Sequence, residues 1–184
     1  MLRDEVIYRL GVPADAGLLA AFGSEAFVDA YGHALNPRHL ALHVARTYSE
    51  EQQRGELEDP QAWTIIADRD GDIVAAAYLR WAPPPAQLAP ELRWAEIARF
   101  YLAKPYWRTG ISSDLMVAVL GSIRERGGEV VWLQAWEQAD VALRFYRKWG
   151  FLEVGEAPFL LGPEAQRDLI LARSLRADPP APDA

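Results

Sequence analysis

The sequence predicts one α/β domain, in which helices pack on a sheet that includes a parallel strand pair. Three observations carry that reading. Short apolar runs of strand length alternate with longer stretches of helical period. The apolar run 97–102 leads through Trp107-Arg108-Thr109-Gly110-Ile111-Ser112 into a helix over 112–126. A strand over 130–136 and a helix over 141–150 then follow. A strand–helix–strand crossover of this kind lays its two strands parallel.

The other elements follow in order. Residues 6–9 read as a short first strand. Pro13-Ala14-Asp15-Ala16 starts a helix carrying Leu18, Leu19, Ala21 and Phe22 towards Phe27. Pro37-Arg38-His39-Leu40 starts another, with Leu40, Leu42, His43, Ala45 and Tyr48 as its buried or ligand-facing stripe. Ser49 caps a third segment, 50–57. Strands over 63–67 and 73–79 flank Asp68-Arg69-Asp70-Gly71-Asp72, a hairpin turn. Trp81-Ala82-Pro83-Pro84-Pro85 ends the second of these strands and opens a stiff loop to about residue 92. Ala142, Phe145, Tyr146 and Trp149 recur at helical spacing up to Gly150, a C-terminal cap. Phe151 opens a further strand and 170–172 closes the last. The domain spans 1–176, and the Pro-rich tail 177–184 is expected to be disordered.

Composition bounds the function. The 184 residues are 51% hydrophobic, enough for a well-packed domain, and no apolar run reaches membrane-spanning length. No cysteine is present, so disulfides, metal thiolates and a cysteine nucleophile are excluded, and a cytoplasmic setting is expected. The net charge of -7 disfavours nucleic acid and favours cationic partners. His39 and His43 are four apart, but no third ligand or acidic helper accompanies them, so no metal is expected.

The turn at 107–112 has the build of a phosphate holder. Gly110 and Ser112 keep side-chain bulk out of the way. Successive backbone N–H groups and a helix dipole there offer positive charge. Arg108 adds a cation, and Ser112 or Ser113 can cap the helix. An ordinary strand-to-helix turn capped by serine reads the same way. The second motif downstream separates the two readings.

With both elements in view, the chain resembles the GNAT superfamily of acetyl-CoA-dependent N-acetyltransferases. Their pyrophosphate loop, Gln/Arg-x-x-Gly-x-Gly/Ala, falls on Trp107-x-x-Gly110-x-Ser112. Their later helix, Asn-x-x-Ala-x-x-Phe-Tyr-x-x-x-Gly-Phe, falls on Ala139-x-x-Ala142-x-x-Phe145-Tyr146-x-x-x-Gly150-Phe151. Trp107 and Ala139 depart from the pattern. The resemblance implies a mixed, largely antiparallel twisted sheet with helices on both faces and a parallel strand pair splayed at its C-terminal ends. It also implies acetyl-CoA as co-substrate, held by Tyr101, Leu102, Trp107, Arg108, Thr109, Gly110, Ile111, Ser112, Ser113, Ala139 and Tyr146. The backbone N–H of Tyr101 or Leu102 would serve as oxyanion donor.

A finer resemblance is to the PaiA-type spermidine/spermine N-acetyltransferases. It rests on Val131-Trp132-Leu133-x-x-Trp136-Glu137 and on Gly155-x-x-x-Phe159-x-Leu161-Gly162-x-x-x-Gln166-x-Asp168. In that family a histidine commonly stands where this chain has Ala157.

An amine attacking a thioester needs a base, an acid for the departing thiolate and an oxyanion donor. Glu96, eleven residues before Trp107, is the base candidate, with a strand ion pair to Arg93 or Arg99 as the plain alternative. Tyr146 is the acid candidate, with a packed core tyrosine as its alternative. For a cationic acceptor, Glu25, Asp29, Tyr31, Trp81, Trp136 and Glu137 offer carboxylates and aromatic faces. The expected reaction is direct acetyl transfer to a primary amine, a polyamine being the leading acceptor. A protein N-terminus, a lysine or another small amine stays open, as do a non-catalytic acetyl-CoA-binding module and a homodimer.

Overall fold

The computed structural model describes residues 5–83, 92–161 and 164–176. The Pro-rich tail and most of the stiff loop after Trp81 lie outside the described residues. Seven strands form one mixed sheet in the order β1-β2-β3-β4-β5-β7-β6, where β1 is Ile7–Leu10, β2 Ala62–Arg69, β3 Asp72–Trp81, β4 Trp94–Leu102, β5 Val130–Trp136, β6 Leu152–Leu161 and β7 Glu164–Ser174. The chain divides into two compact units, Met1–Leu79 with Arg99–Val119, and Arg80–Ala98 with Leu120–Ala184.

In the first unit, β1 pairs antiparallel with β2, from Ile7 opposite Asp68 to Leu10 opposite Ile65. The turn to β3 is the expected hairpin: Asp70 at φ 56° and Gly71 at φ 90° take the two left-handed positions of a tight turn. Helix α1 runs over Ala16–Tyr31 after a short 3-10 turn, Pro13–Asp15. Asp15 accepts both guanidinium nitrogens of Arg9 at 2.8 Å, so the helix start is tied to β1, and the guanidinium holds the carboxyl below its usual range. Helix α2 is Pro37–Thr47, capped by Asn36, and α3 is Glu50–Glu58, capped by Ser49 as expected, with Gln52 N–H donating to its hydroxyl at 3.1 Å. Leu19, Ile66 and Ala76 form an apolar cluster over which Phe22, Leu57 and Ile73 pack.

Two expectations are corrected here. The α2 stripe is not a buried one: no residue of the helix is buried, and Leu42 is 63% exposed. The inward-facing aromatic is Tyr48, just past the helix end, because Gly23 gives its ring room. A Cβ at Gly23 would stand 2.5 Å from the Tyr48 ring. The helix after the turn, α4, spans Ile111–Glu125, so it starts before either serine. Ser113 and Asp114 donate their N–H groups to the Gly110 carbonyl at 2.9 and 3.1 Å, which puts Ser112 and Ser113 inside the first turn. Gly110 takes the capping place because its positive φ ends the turn one residue earlier.

In the second unit β4 and β5 pair parallel over Trp94–Glu96 and Val130–Trp132, and the pairing then ends although both strands continue. Strand β7 pairs antiparallel with β5 on one side and β6 on the other. Trp94, Val130, Trp132, Ile170 and Ala172 form a buried cluster on one face. Helix α5, Asp140–Lys148, ends as its glycine predicts. The N–H of Phe151 reaches the Tyr146 carbonyl at 3.1 Å and that of Gly150 reaches Arg147 at 3.0 Å, a Schellman closure.

Candidate active site

The first unit carries the turn that leads from β4 into α4. After a 3-10 turn, Lys104–Tyr106, the chain passes through Arg108 at φ 65° and Gly110 at φ 94°. No backbone acceptor among the described residues takes the N–H groups of Arg108, Gly110, Ile111 or Ser112. A helix leaves its first amides unsatisfied, and here they sit beside a glycine. A Cβ at Gly110 would meet nothing within 4 Å, so the space over these amides is open. That arrangement suits an anion of pyrophosphate type. Trp107, 48% exposed, closes the turn instead of reaching outwards: its indole N–H donates to the Leu102 carbonyl at 3.0 Å. Thr109 closes it from the other side, its hydroxyl donating to the Tyr106 carbonyl at 2.6 Å. Tyr8 donates to the Ile111 carbonyl at 3.5 Å, and burial, with Asp114 nearby, pushes its phenol up to about 12.

The same unit holds a polar aromatic nest. The hydroxyls of Tyr48 and Tyr101 lie 2.9 Å apart. Arg99 is ion-paired with Glu56 and lies 4.4 Å from the Tyr78 ring centroid and 5.6 Å from that of Tyr48. Burial pushes the Tyr48 phenol up to about 12 and raises that of Tyr101 as well, so both stay protonated. Phe27 stacks on His43 at 4.7 Å, and burial, helped by Arg99 and Arg46, lowers the imidazole's pKa. The pocket lined by Tyr48, Tyr78, Arg99 and Tyr101 has a volume of about 20 Å³, too small for a substrate. The nest therefore reads as support for the end of β4.

The second unit carries the other candidates. Glu96 is buried, and Arg80 donates to its carboxylate at 2.5 Å. The ion pair expected with Arg93 or Arg99 is therefore made by Arg80 instead, since Arg99 is committed to Glu56 and Arg93 lies 4.0 Å over the Trp81 ring. Tyr146 is buried on α5, its ring 5.7 Å from Phe151 and 5.6 Å from Phe145. Ala139 is the N-cap of α5 and gives it no side-chain bond.

The acceptor candidates separate. Glu25 and Asp29 are exposed on α1, whereas Tyr31 is half-buried with its ring 4.9 Å from Phe27. Trp81 already carries the Arg93 guanidinium over its ring. Glu137 accepts from Arg167 at 2.8 Å, so its charge is compensated. Trp136 stands directly opposite Asp168 across the β5–β7 ladder.

The sequence reading quoted Asp168 only as part of a pattern, named Arg99 only as a partner for Glu96 and Tyr48 only in the α2 stripe, and missed Arg80. The signal for the arginines was a cation inside an otherwise apolar strand. For Asp168 it was a carboxylate opening the apolar run 168–172. Asp168 is buried, 7% exposed, and burial alone pushes its carboxyl up to about 6. Among the described residues no group of three histidine or acidic side chains forms a metal site, and no helix is long and apolar enough to cross a membrane.

Comparison with known proteins bears on the family and the fold. The acetyltransferase (GNAT) family model matches residues 27–151. An uncharacterized N-acetyltransferase of Mycobacterium bovis is 32% identical over 161 residues, covering 88% of this chain and 98% of its own. One of Lactobacillus delbrueckii subsp. lactis is 30% identical over 156 residues, covering 84% and 89%. The crystal structure of the PaiA N-acetyltransferase of Thermoplasma acidophilum in complex with coenzyme A matches with a TM-score of 0.75 at 18% identity, over 92% of this chain and 99% of that one. The ribosomal-protein-S18-alanine N-acetyltransferase of Escherichia coli matches with a TM-score of 0.63 at 15% identity, over 94% and 97%. The extent of the family match and the two relatives at 30% identity or above show that this chain belongs to the acetyltransferase (GNAT) family of acetyl-CoA-dependent N-acetyltransferases.

Proposed function

We propose that the chain transfers acetyl from acetyl-CoA to a primary amine, with a small polyamine as the leading acceptor, by direct attack in a ternary complex. The observation that carries the reading is the turn before α4, where the free amides of Gly110, Ile111 and Ser112 border open space. Acetyl-CoA supplies an acetyl thioester and a pyrophosphate that suits those amides. Arg108 adds a cation at the same turn, and Tyr101, Leu102, Trp107, Thr109, Ser113 and Ala139 complete the residues assigned to it.

The protein's tasks are proton management and charge stabilisation. Glu96 takes a proton from the incoming ammonium, through water, and the Arg80 pair fixes the direction of its carboxylate. Tyr146 donates its phenolic proton to the departing thiolate, a role that needs no prior ionisation. A backbone N–H at Tyr101 or Leu102 stabilises the oxygen that gathers charge. With no cysteine to carry the acetyl group, direct attack is the simpler scheme.

Acceptor choice is the finer part of the proposal. The acetyltransferase named for the S18 alanine and the PaiA enzyme share this fold, so the fold does not set the acceptor. The PaiA-type pattern and the acidic surface support a polycationic amine. The test is CoA release with spermidine, spermine, a lysine peptide and no acceptor. Release with the polyamines above the others supports the reading, whereas release with the peptide alone moves the acceptor to protein. Binding of acetyl-CoA with no release under any condition removes the activity.

A further inference from the structure

Asp168 presents a problem that the proposed mechanism does not use. Asp168 is more than nine-tenths buried as a residue, and no hydrogen bond or ion pair reaches its carboxylate from any described residue, although the carboxylate oxygens are not sealed from solvent. A buried carboxylate costs stability unless something compensates it. Its cross-strand neighbours on β5 and β6 are Trp136 and Ala157, and neither carries charge. Arg167, the cation next to it in sequence, points its charge at Glu137 and Glu156. Strand alternation puts Asp168 on the face that also bears Trp132, Gln134 and Trp136, with Glu96 registered against Trp132. Among the described residues two buried carboxylates lie on that face; Glu96 has its cation in Arg80, and no described cation pairs with Asp168. Gln134 on the same face is exposed, so solvent reaches this side of the sheet, and the side chain paired with Asp168 on β6 is the small Ala157.

We infer that Asp168 is a specificity-determining residue that pairs with a second cationic nitrogen of the acceptor, one remote from the nitrogen being acetylated. The inference rests on the amine-acetyltransferase reading above and deepens it. The reacting nitrogen must lose its proton before it attacks, so a lasting ion pair to it would hold it in the unreactive form. A nitrogen that stays protonated throughout is the partner that suits an uncompensated carboxylate. Burial raises the carboxyl's pKa, and an ammonium bound beside it would lower it.

The test compares 1,6-diaminohexane with 1-aminohexane, two acceptors that differ by one ammonium. Both amines stay charged from pH 5 to 8. For the wild type, kcat/KM is expected to be higher for the diamine. Asp168→Asn is expected to lower kcat/KM for the diamine about ten- to a hundredfold, through KM, as loss of a charge-assisted bond does. It leaves the monoamine and the acetyl-CoA Kd within about twofold. Equal loss for both amines, or no loss for either, overturns the inference. Calorimetric titration of the diamine onto the protein reads the site without turnover, so a failure of the acetyl-transfer reading is told apart from a failure of this one. There the wild type is expected to bind more weakly at pH 5 than at pH 7.5, and the variant to show no such dependence. Diamine binding that ignores both the pH and the substitution contradicts the role assigned to Asp168.

Discussion

At Tyr146 the ring and the hydroxyl have separable tasks. The ring packs on Phe145 and Phe151, and the backbone carbonyl closes the end of α5. Tyr146→Phe keeps all of that and removes the proposed acid. Turnover should fall about 10²–10⁴-fold while acetyl-CoA affinity stays within a few-fold. Near-normal kcat in a steady-state assay would leave the thiolate to be protonated by solvent. Asp168 gives a second residue-scale prediction, now on stability. Burial pushes its folded pKa up to about 6, above the ordinary carboxylate value, so the native state binds a proton more readily than the unfolded chain. The penalty is therefore absent below about pH 4, grows as pH rises through about 6, and is constant above that. Asp168→Asn should raise stability by about 1–2 kcal/mol at pH 8 and by little at pH 4, measured by urea denaturation. A variant that is less stable at pH 8 would mean that the carboxylate has a compensating partner. Tyr146 was legible in the sequence because a motif names it. The missing cation at Asp168 was not, because the absence of a partner depends on which strands pair and in what register.

The turn before α4 is the element whose sequence and geometry agree most closely. The Gly110 position was legible, and the structure adds the reason: φ of 94° and open space where a side chain would stand. Gly110→Val should weaken acetyl-CoA binding by about tenfold or more. A β-branched residue is strained at positive φ by about 1–2 kcal/mol, and its bulk enters the space over the free amides. Trp107→Phe should act differently. It loses one hydrogen bond to Leu102, worth about 1 kcal/mol of stability, and leaves the amides in place. Titration of acetyl-CoA onto the two variants checks the contrast, and an unchanged Kd for Gly110→Val would move the pyrophosphate elsewhere. The serine cap was misread because Ser112 and Ser113 are good caps in isolation. The backbone conformation of Gly110, which shifts the helix start, is invisible to that rule. The buried stripe on α2 failed for a related reason: apolar residues at helical spacing state which side is apolar, not whether anything covers it.

For the whole molecule, the order of strands and helices and the antiparallel character of the sheet followed from pattern and motif. The partners of the buried charges did not. Arg80 with Glu96 and Arg99 with Glu56 join residues 16 and 43 positions apart, and only tertiary structure selects them. The net charge of -7 has its own consequence. Long-range attraction of a cationic acceptor is screened by salt, so KM for spermidine should rise between 20 and 300 mM NaCl while KM for a neutral-bodied monoamine changes less. The central claim is acetyl transfer by direct attack in a ternary complex. It is tested most directly by initial rates of CoA release with acetyl-CoA and spermidine varied together. The account predicts release that requires the amine and reciprocal plots that intersect. Parallel plots, or release that ignores the amine, would contradict it.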